Sequence, residues 1–221
     1  MKLIYFITII CIIAMVNTAN GQMNNSPQYF PDSETAVKKA SSDLFEVINT
    51  MEDFNFGINP KELQKASVGT MIQNFELNFK TLLKADIETS ISRMADKPKN
   101  QLFPLIFDKR VITVVELRKE EKGWLIAGFS SQGIADELNT IIESIRSFDK
   151  TAIRKYEVQN LNTNIYVVKT DNKSLIFSNY KNVFSFKEPV ESAKIVSVLQ
   201  EDARKFQKEF GKILEKEKLV Y

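Results

Sequence analysis

Three short runs rich in β-branched and aromatic residues, near the middle of the chain, constrain its fold most strongly. They cover residues 102–107, 111–117 and 124–129, and short charged turns separate them. Runs of this length joined by short polar turns are typical of antiparallel strands connected as hairpins. The sequence therefore predicts a three-stranded meander in this region.

A second β-rich stretch follows in the last third of the chain. Short turns rich in Asn and Asp separate its candidate strands, which cover residues 153–158, 164–169, 174–178 and 183–186. Apolar and polar residues also alternate over residues 71–79, and this alternation predicts one more half-buried strand ahead of the first meander.

Apolar residues recur every three or four positions in three other segments, which predicts three helices with one buried stripe each. The first helix begins near Asp32, the second follows Ser131, and the third is long and covers about residues 189–217. A short additional helix is predicted at Asn59, where a capping residue precedes a proline. Residues 81–100 fit either a helix or an irregular crossing.

The candidate strands come in meanders and do not alternate singly with helices. This order predicts an α+β fold, with an antiparallel sheet packed by an N-terminal, a middle and a long C-terminal helix. We interpret residues 32–148 as an α+β module and residues 149–221 as a second β-rich part ending in the long helix. One continuous domain remains an open alternative. Residues 22–31 are polar and contain prolines, so we expect a flexible leader there.

The N-terminus has the order of segments typical of a secretory signal peptide. Lys2 precedes an apolar run of about 14 residues, shorter than the roughly 20 that a bilayer span requires. Small residues follow, and the predicted cleavage lies between Gly21 and Gln22, with a cut after Ala19 as the alternative. We therefore expect an exported protein, periplasmic or extracellular, with no membrane span after processing.

Removal of residues 1–21 also changes the composition. The mature chain would carry 29 basic and 28 acidic residues, a balance that gives no electrostatic footprint for nucleic acid. It would lose Cys11, the only cysteine, so no disulfide is expected. A cysteine-free exported chain rich in Lys, Asn, Ile and Phe favours a bacterial source.

The chain contains no histidine, and this absence excludes several common chemistries. Ser-His-Asp and Cys-His mechanisms need an imidazole to move the proton, and zinc sites usually use His or Cys ligands. Glycine-rich phosphate loops are also missing, because glycine is scarce. The sequence therefore predicts no catalytic, cofactor-binding or metal-binding residues.

Three residues are weak candidates for binding. Ser130 and Ser131 lie where a strand turns into a helix, and the backbone N–H groups of a helix start can hold an anion. Trp124 begins a strand after a glycine turn, where it either covers the sheet or anchors a partner. Carboxylate pairs are the other polar groups of interest, and surface charge is their simpler interpretation: Asp86 with Glu88, Glu120 with Glu121, and Asp136 with Glu137.

These observations leave three functional hypotheses. The first is an exported, non-catalytic module that binds or regulates another envelope component or secreted macromolecule. The second is a carrier of a small apolar ligand, which would require a pocket larger than about 300 Å³. The third is a histidine-free hydrolase, which would require two carboxylates facing each other in a cleft about 5–10 Å apart.

Overall fold

The computed structural model describes residues 27–51, 56–86, 89–145, 151–170 and 173–216. The predicted signal peptide, its cleavage site at Gly21 and Gln22, and the module boundary near residues 149–150 lie outside these residues. Glu88, a member of one candidate carboxylate pair, lies outside them as well.

One mixed sheet forms the centre of the protein. Its strands in the described residues are β1 (Tyr29–Phe30), β2 (Ser67–Val68), β3 (Ile72–Glu76), β4 (Asn100–Phe107), β5 (Arg110–Glu120), β6 (Gly123–Phe129), β7 (Ala152–Val158), β8 (Thr163–Lys169) and β9 (Ser174–Ser178). The strand order is β1-β6-β5-β4-β3-β7-β8-β9, and β2 pairs with β4. Both predicted meanders are therefore present, as β4–β6 and β7–β9.

Strand β3 joins the two meanders. It pairs with β4 antiparallel on one side and with β7 parallel on the other, where Gln73 lies opposite Arg154. This parallel pairing, which the sequence did not indicate, makes a single continuous sheet from segments of both predicted modules. Tyr29 and Phe30, from the end of the predicted leader, pair with β6 at the edge of the sheet.

Helices complete the predicted α+β fold, which the structure confirms. Within the described residues they are α1 (Ser33–Thr50), α2 (Pro60–Lys65), α3 (Phe79–Lys84), α4 (Gln132–Ile145) and the long α5 (Ser192–Lys216). Asp32 caps α1, because its side chain accepts a hydrogen bond of 2.7 Å from the backbone N–H of Thr35. None of these helices, over the residues described, has the length and apolar character needed to cross a membrane.

Alternate residues of the strands face opposite sides of the sheet, and helices cover both sides. In the first meander, Phe103 and Val115 pack with α1 and α2, whereas Leu102 and Val114 pack with α4 on the other face. In the second meander, alternate residues again divide between two clusters, one with α4 and one with α3 and α5. Helix α4 therefore covers strands of both meanders.

Two strand predictions need correction. The predicted strand over residues 71–79 ends at Glu76, and Phe79 instead begins α3. Asn78 ends the extended segment, because its side chain accepts a 3.0 Å hydrogen bond from the Thr81 N–H and caps the helix.

The predicted strand over residues 183–186 is absent from the described sheet. Phe184 and Phe186 are both buried, as alternating strand residues would be, but they enter different core clusters. The turn before them contains two residues with positive φ, Lys181 at 52° and Asn182 at 57°. The alternating burial of Phe184 and Phe186 therefore comes from a loop that places one ring in each of two core clusters. Within the described sheet, these residues do not pair with a neighbouring strand.

Candidate functional site

Trp124 lies in the sheet and packs against the core cluster that contains Phe103 and Val115. Its ring meets that of Phe103 edge-on, with the centroids 6.3 Å apart, and the ammonium of Lys119 lies 5.6 Å from the ring centroid. The side chain is half-buried. The ring therefore covers part of this face of the sheet.

The two candidate serines differ in their surroundings. The hydroxyl of Ser130 donates a 2.6 Å hydrogen bond to Glu116 on β5, so a carboxylate already lies beside this residue. Ser131 is exposed, and its carbonyl accepts a hydrogen bond from the Ile134 N–H in the first turn of α4. Among the residues that the structure describes, Ser130 is therefore connected to other polar side chains, and Ser131 is not.

Ser130 is one end of a chain of hydrogen bonds that runs across the sheet beneath α4. Asn100 donates to Glu116 at 2.8 Å, and Asn74 donates to Asn100 at 2.7 Å. Asn74 also donates to Glu157 on β7 at 2.9 Å. The chain thus crosses β5, β4, β3 and β7, and its members come from both meanders.

An ion pair between a buried lysine and a half-buried glutamate lies at the other end of this chain. Lys155 is 3% exposed and its ammonium lies 2.6 Å from a carboxylate oxygen of Glu157. Burial disfavours the charged form of Glu157, but the Lys155 ammonium and the donors Asn74 and Lys99 outweigh it and lower the pKa of Glu157 from 4.5 to about 2. Glu157 is therefore a carboxylate at neutral pH.

A second carboxyl group, that of Glu137 on α4, lies in a different environment. Burial raises the pKa of Glu137, although Tyr166 and Asn164 stabilise the charged form as hydrogen-bond donors. The Tyr166 hydroxyl donates to Glu137 at 2.6 Å, and the Asn164 amide donates at 3.0 Å. The two carboxyl groups therefore have pKa values shifted in opposite directions.

Glu137 and Glu157 line the same small cleft, which we call the polar cleft. It has a volume of about 310 Å³ and lies at the end of the sheet where β7 turns into β8. Among its lining residues is Thr163, which is 8% exposed and whose hydroxyl has no hydrogen-bond partner within the described residues.

The carboxylate pairs adjacent in sequence do not supply this arrangement. Glu120 accepts from Tyr29 at 2.8 Å and Asp136 from Gln132 at 3.3 Å, so each has a partner of its own. Interpreting Asp136 and Glu137 as mere surface charge missed the partial burial of Glu137. The signal was present, because Glu137 lies three residues after Ile134 and four before Ile141, on the buried stripe of α4.

A larger depression, which we call the apolar groove, lies at the other end of β7 and β8. Its volume is about 490 Å³, and the segment before α5 forms one wall. Arg154, Val167 and Ile176 occupy facing positions on three neighbouring strands and make a row across its floor. Lys169 and Glu191 also line it.

Within the described residues, no group of three or more His, Cys, Asp or Glu side chains could hold a metal ion. Comparison with protein-family models, with curated proteins and with solved structures finds no match to this chain.

The opposite pKa shifts predict opposite effects on acid stability. Because the pKa of Glu157 is depressed on folding, its contribution is present above pH 4.5 and is lost as the pH falls towards about 2. That loss amounts to about 3 kcal/mol, at 1.36 kcal/mol for each pKa unit. Urea unfolding of Glu157→Gln should therefore show a flatter decline in the free energy of unfolding over this pH range.

Glu137→Gln is the matched control for this prediction. The raised pKa of Glu137 means that its contribution is greatest at low pH and is lost as the pH rises through the folded-state pKa. This variant should keep or steepen the acid-induced decline. Identical pH profiles for the two variants would contradict the assignment.

Proposed function

We propose that this protein is an exported, non-catalytic binding protein whose ligand is a small amphiphile with an anionic head, held in the apolar groove. The observation that carries the proposal is the row of Arg154, Val167 and Ile176 on an uncovered part of the sheet. It sets a cation beside an apolar floor in a depression large enough for a small ligand.

The groove exists because α5 covers only part of its sheet face. Ile195, Val196 and Leu199 of α5 are fully buried against the cluster that contains Tyr156 and Ile165. One row further along the strands, Val167 and Ile176 are only half-buried. An apolar chain laid over them would remove that remaining surface from water, which is favourable by about 25 cal/mol for each Å².

Charge favours an anionic head on such a ligand. Arg154 lies in the floor row, and Lys169 follows Val167 by two positions and so points to the same face of β8. Glu191 is the one acidic residue among the described groove residues, so cations outnumber it two to one. The guanidinium of Arg154 lies 5.9 Å from the Phe75 ring centroid, and this contact would hold it in place for a carboxylate.

A macromolecular partner, the first hypothesis from the sequence, has less support from the geometry. Docking of a protein partner usually uses a contiguous exposed apolar patch. The large exposed apolar side chains of the described residues are spread over several segments: Met51, Val68, Met71, Val183 and Phe210. No single helix or strand presents them together, so the groove is the better candidate.

Binding of laurate tests the proposal, with dodecanol as an uncharged probe of the same chain length. Laurate should bind more tightly than dodecanol in isothermal titration calorimetry. Arg154→Gln should weaken laurate binding by about tenfold or more, the equivalent of 1.4 kcal/mol, and should leave dodecanol unchanged.

The control variant is Arg118→Gln, which removes an exposed arginine of β5 in the other half of the sheet. It should bind laurate like the wild type. Equal affinity for the two probes, or an equal loss in both arginine variants, would refute an anionic head group. The export part of the proposal is tested separately, because mass spectrometry of the native protein should find Gln22 at the N-terminus.

A further inference from the structure

The two cations of the apolar groove lie close together on one face of the sheet. In the register of the sheet, Arg154 of β7 lies opposite Val167 of β8. Lys169 lies two positions further along β8 and therefore points to the same face. The two cations are diagonal neighbours, with backbones about 7–8 Å apart, a separation that long side chains can span. Both can therefore reach one anion.

Aromatic rings beside Arg154 limit the motion of its side chain. Phe75 of β3 stacks on Tyr156 with the ring centroids 5.1 Å apart, and the two residues face each other across the parallel strands. The guanidinium of Arg154 lies 5.9 Å from the centroid of the Phe75 ring. A contact with the face of a ring does not use the N–H donors of a guanidinium. Arg154 can thus present the planar fork that binds two oxygens of one anion.

The charge of these cations is not balanced within the described residues. Neither Arg154 nor Lys169 forms an ion pair with a described acidic side chain, and Glu191 on the groove wall does not pair with them. Ser174 of β9 lies opposite Lys169 and adds a hydroxyl donor. This end of the groove floor therefore offers two cations and a hydroxyl group to an anionic ligand.

The number of oxygens on the ligand decides which anion fits these donors. A carboxylate has two oxygens, and a bidentate arginine occupies both. A phosphate monoester has three terminal oxygens and a charge of about −1.5 to −2 at neutral pH. Two of its oxygens can accept from Arg154 while the third accepts from Lys169. A phosphodiester, with two terminal oxygens and one charge, fits no better than a carboxylate.

We infer that the ligand of the apolar groove is a single-chain amphiphile whose head is a phosphate monoester, bound between Arg154 and Lys169. Its chain lies over Val167 and Ile176. This inference rests on the proposed function, because it specifies the head group of the amphiphile proposed there.

Isothermal titration calorimetry with three probes of the same chain length tests the head group: dodecyl phosphate, laurate and the diester dodecylphosphocholine. Each is titrated at neutral pH below the concentration at which it forms micelles. Dodecyl phosphate should bind about tenfold more tightly than either comparator, because hydrogen bonds to charged groups contribute enough for such a factor. Equal affinity for dodecyl phosphate and laurate, or tighter binding of either comparator, would overturn the inference.

Substitution of Lys169 tests its role in the phosphate site. Lys169→Gln should weaken binding of dodecyl phosphate about tenfold and binding of laurate less than about twofold. The matched control is Lys61→Gln, which removes an exposed lysine of α2 and should leave both affinities unchanged. A Lys169→Gln variant that binds dodecyl phosphate like the wild type, or that loses both probes equally, would overturn the assignment.

The outcomes also separate this inference from the proposed function. If laurate binds through Arg154 but dodecyl phosphate binds no more tightly, the proposed function stands and only the phosphate monoester is refuted. If none of the three probes binds, both are refuted.

Discussion

Replacement of Lys155 by methionine is expected to lower the free energy of unfolding by about 3 kcal/mol, the lower end of the range for a broken buried ion pair, because it leaves the half-buried carboxylate of Glu157 without its nearest cation. The Lys155 side chain is 4% exposed and its ammonium also lies 3.4 Å from the Asn74 side-chain oxygen. Methionine would fill the space of the alkyl chain but could not neutralise Glu157. Urea unfolding at pH 7 measures the change.

A second substitution separates this charge effect from a packing effect. Adding Glu157→Gln to Lys155→Met removes the negative charge that has lost its partner, so the double variant should recover much of the lost stability. Lys205→Met is the surface control, because Lys205 and Glu201 form an exposed pair at 2.6 Å and such pairs contribute little. A loss below about 1 kcal/mol in Lys155→Met would contradict an ion pair of this importance.

Truncation of Phe177 to alanine is expected to cost about 3–5 kcal/mol, and its effect should be felt across the whole sheet. Phe177 lies in β9 and is fully buried under α4, in the second meander. Trp124, the one tryptophan of the chain, lies in β6 of the first meander. Tryptophan fluorescence therefore reports on the half of the sheet that the substitution does not touch.

If the continuous sheet unfolds as one cooperative unit, the fluorescence midpoint of Phe177→Ala in urea should fall as far as the midpoint measured by far-UV circular dichroism. Val183→Ala is a suitable control, since that side chain is 60% exposed. A fluorescence midpoint that stays at the wild-type value would instead support two separate modules, with a boundary near residues 149–150.

Sequence reasoning worked where the controlling interactions are local. The turn at Asp108 and Lys109, the cap at Asp32 and the stripe of α5 each depend on residues a few positions apart. Pairing of β3 with β7 brings together residues about 80 positions apart, and nothing local specifies it. For that reason the two meanders were predicted, but their union into one sheet was not.

The polar cleft was missed for a related reason. Lys155 and Glu157 alternate with Tyr156 and Val158, a pattern that normally marks one buried and one solvated face. Here α4 covers the polar face as well, so Lys155 is buried and Glu157 is half-buried. Glu137 on the stripe of α4 was the one local clue that this helix brings a polar group into its interface.

The central position of β3 also has a kinetic consequence. During synthesis β3 can pair with β4 early. Its other edge stays open until β7 has been made, because Gln73 and its neighbours pair with Arg154 and the residues after it. Long-range pairings of this kind close late and slowly, because the intervening chain must first lose its freedom. We therefore expect the nascent chain to expose this unpaired strand edge while the whole segment between β3 and β7 is made, and to complete its sheet only after β9 has been made.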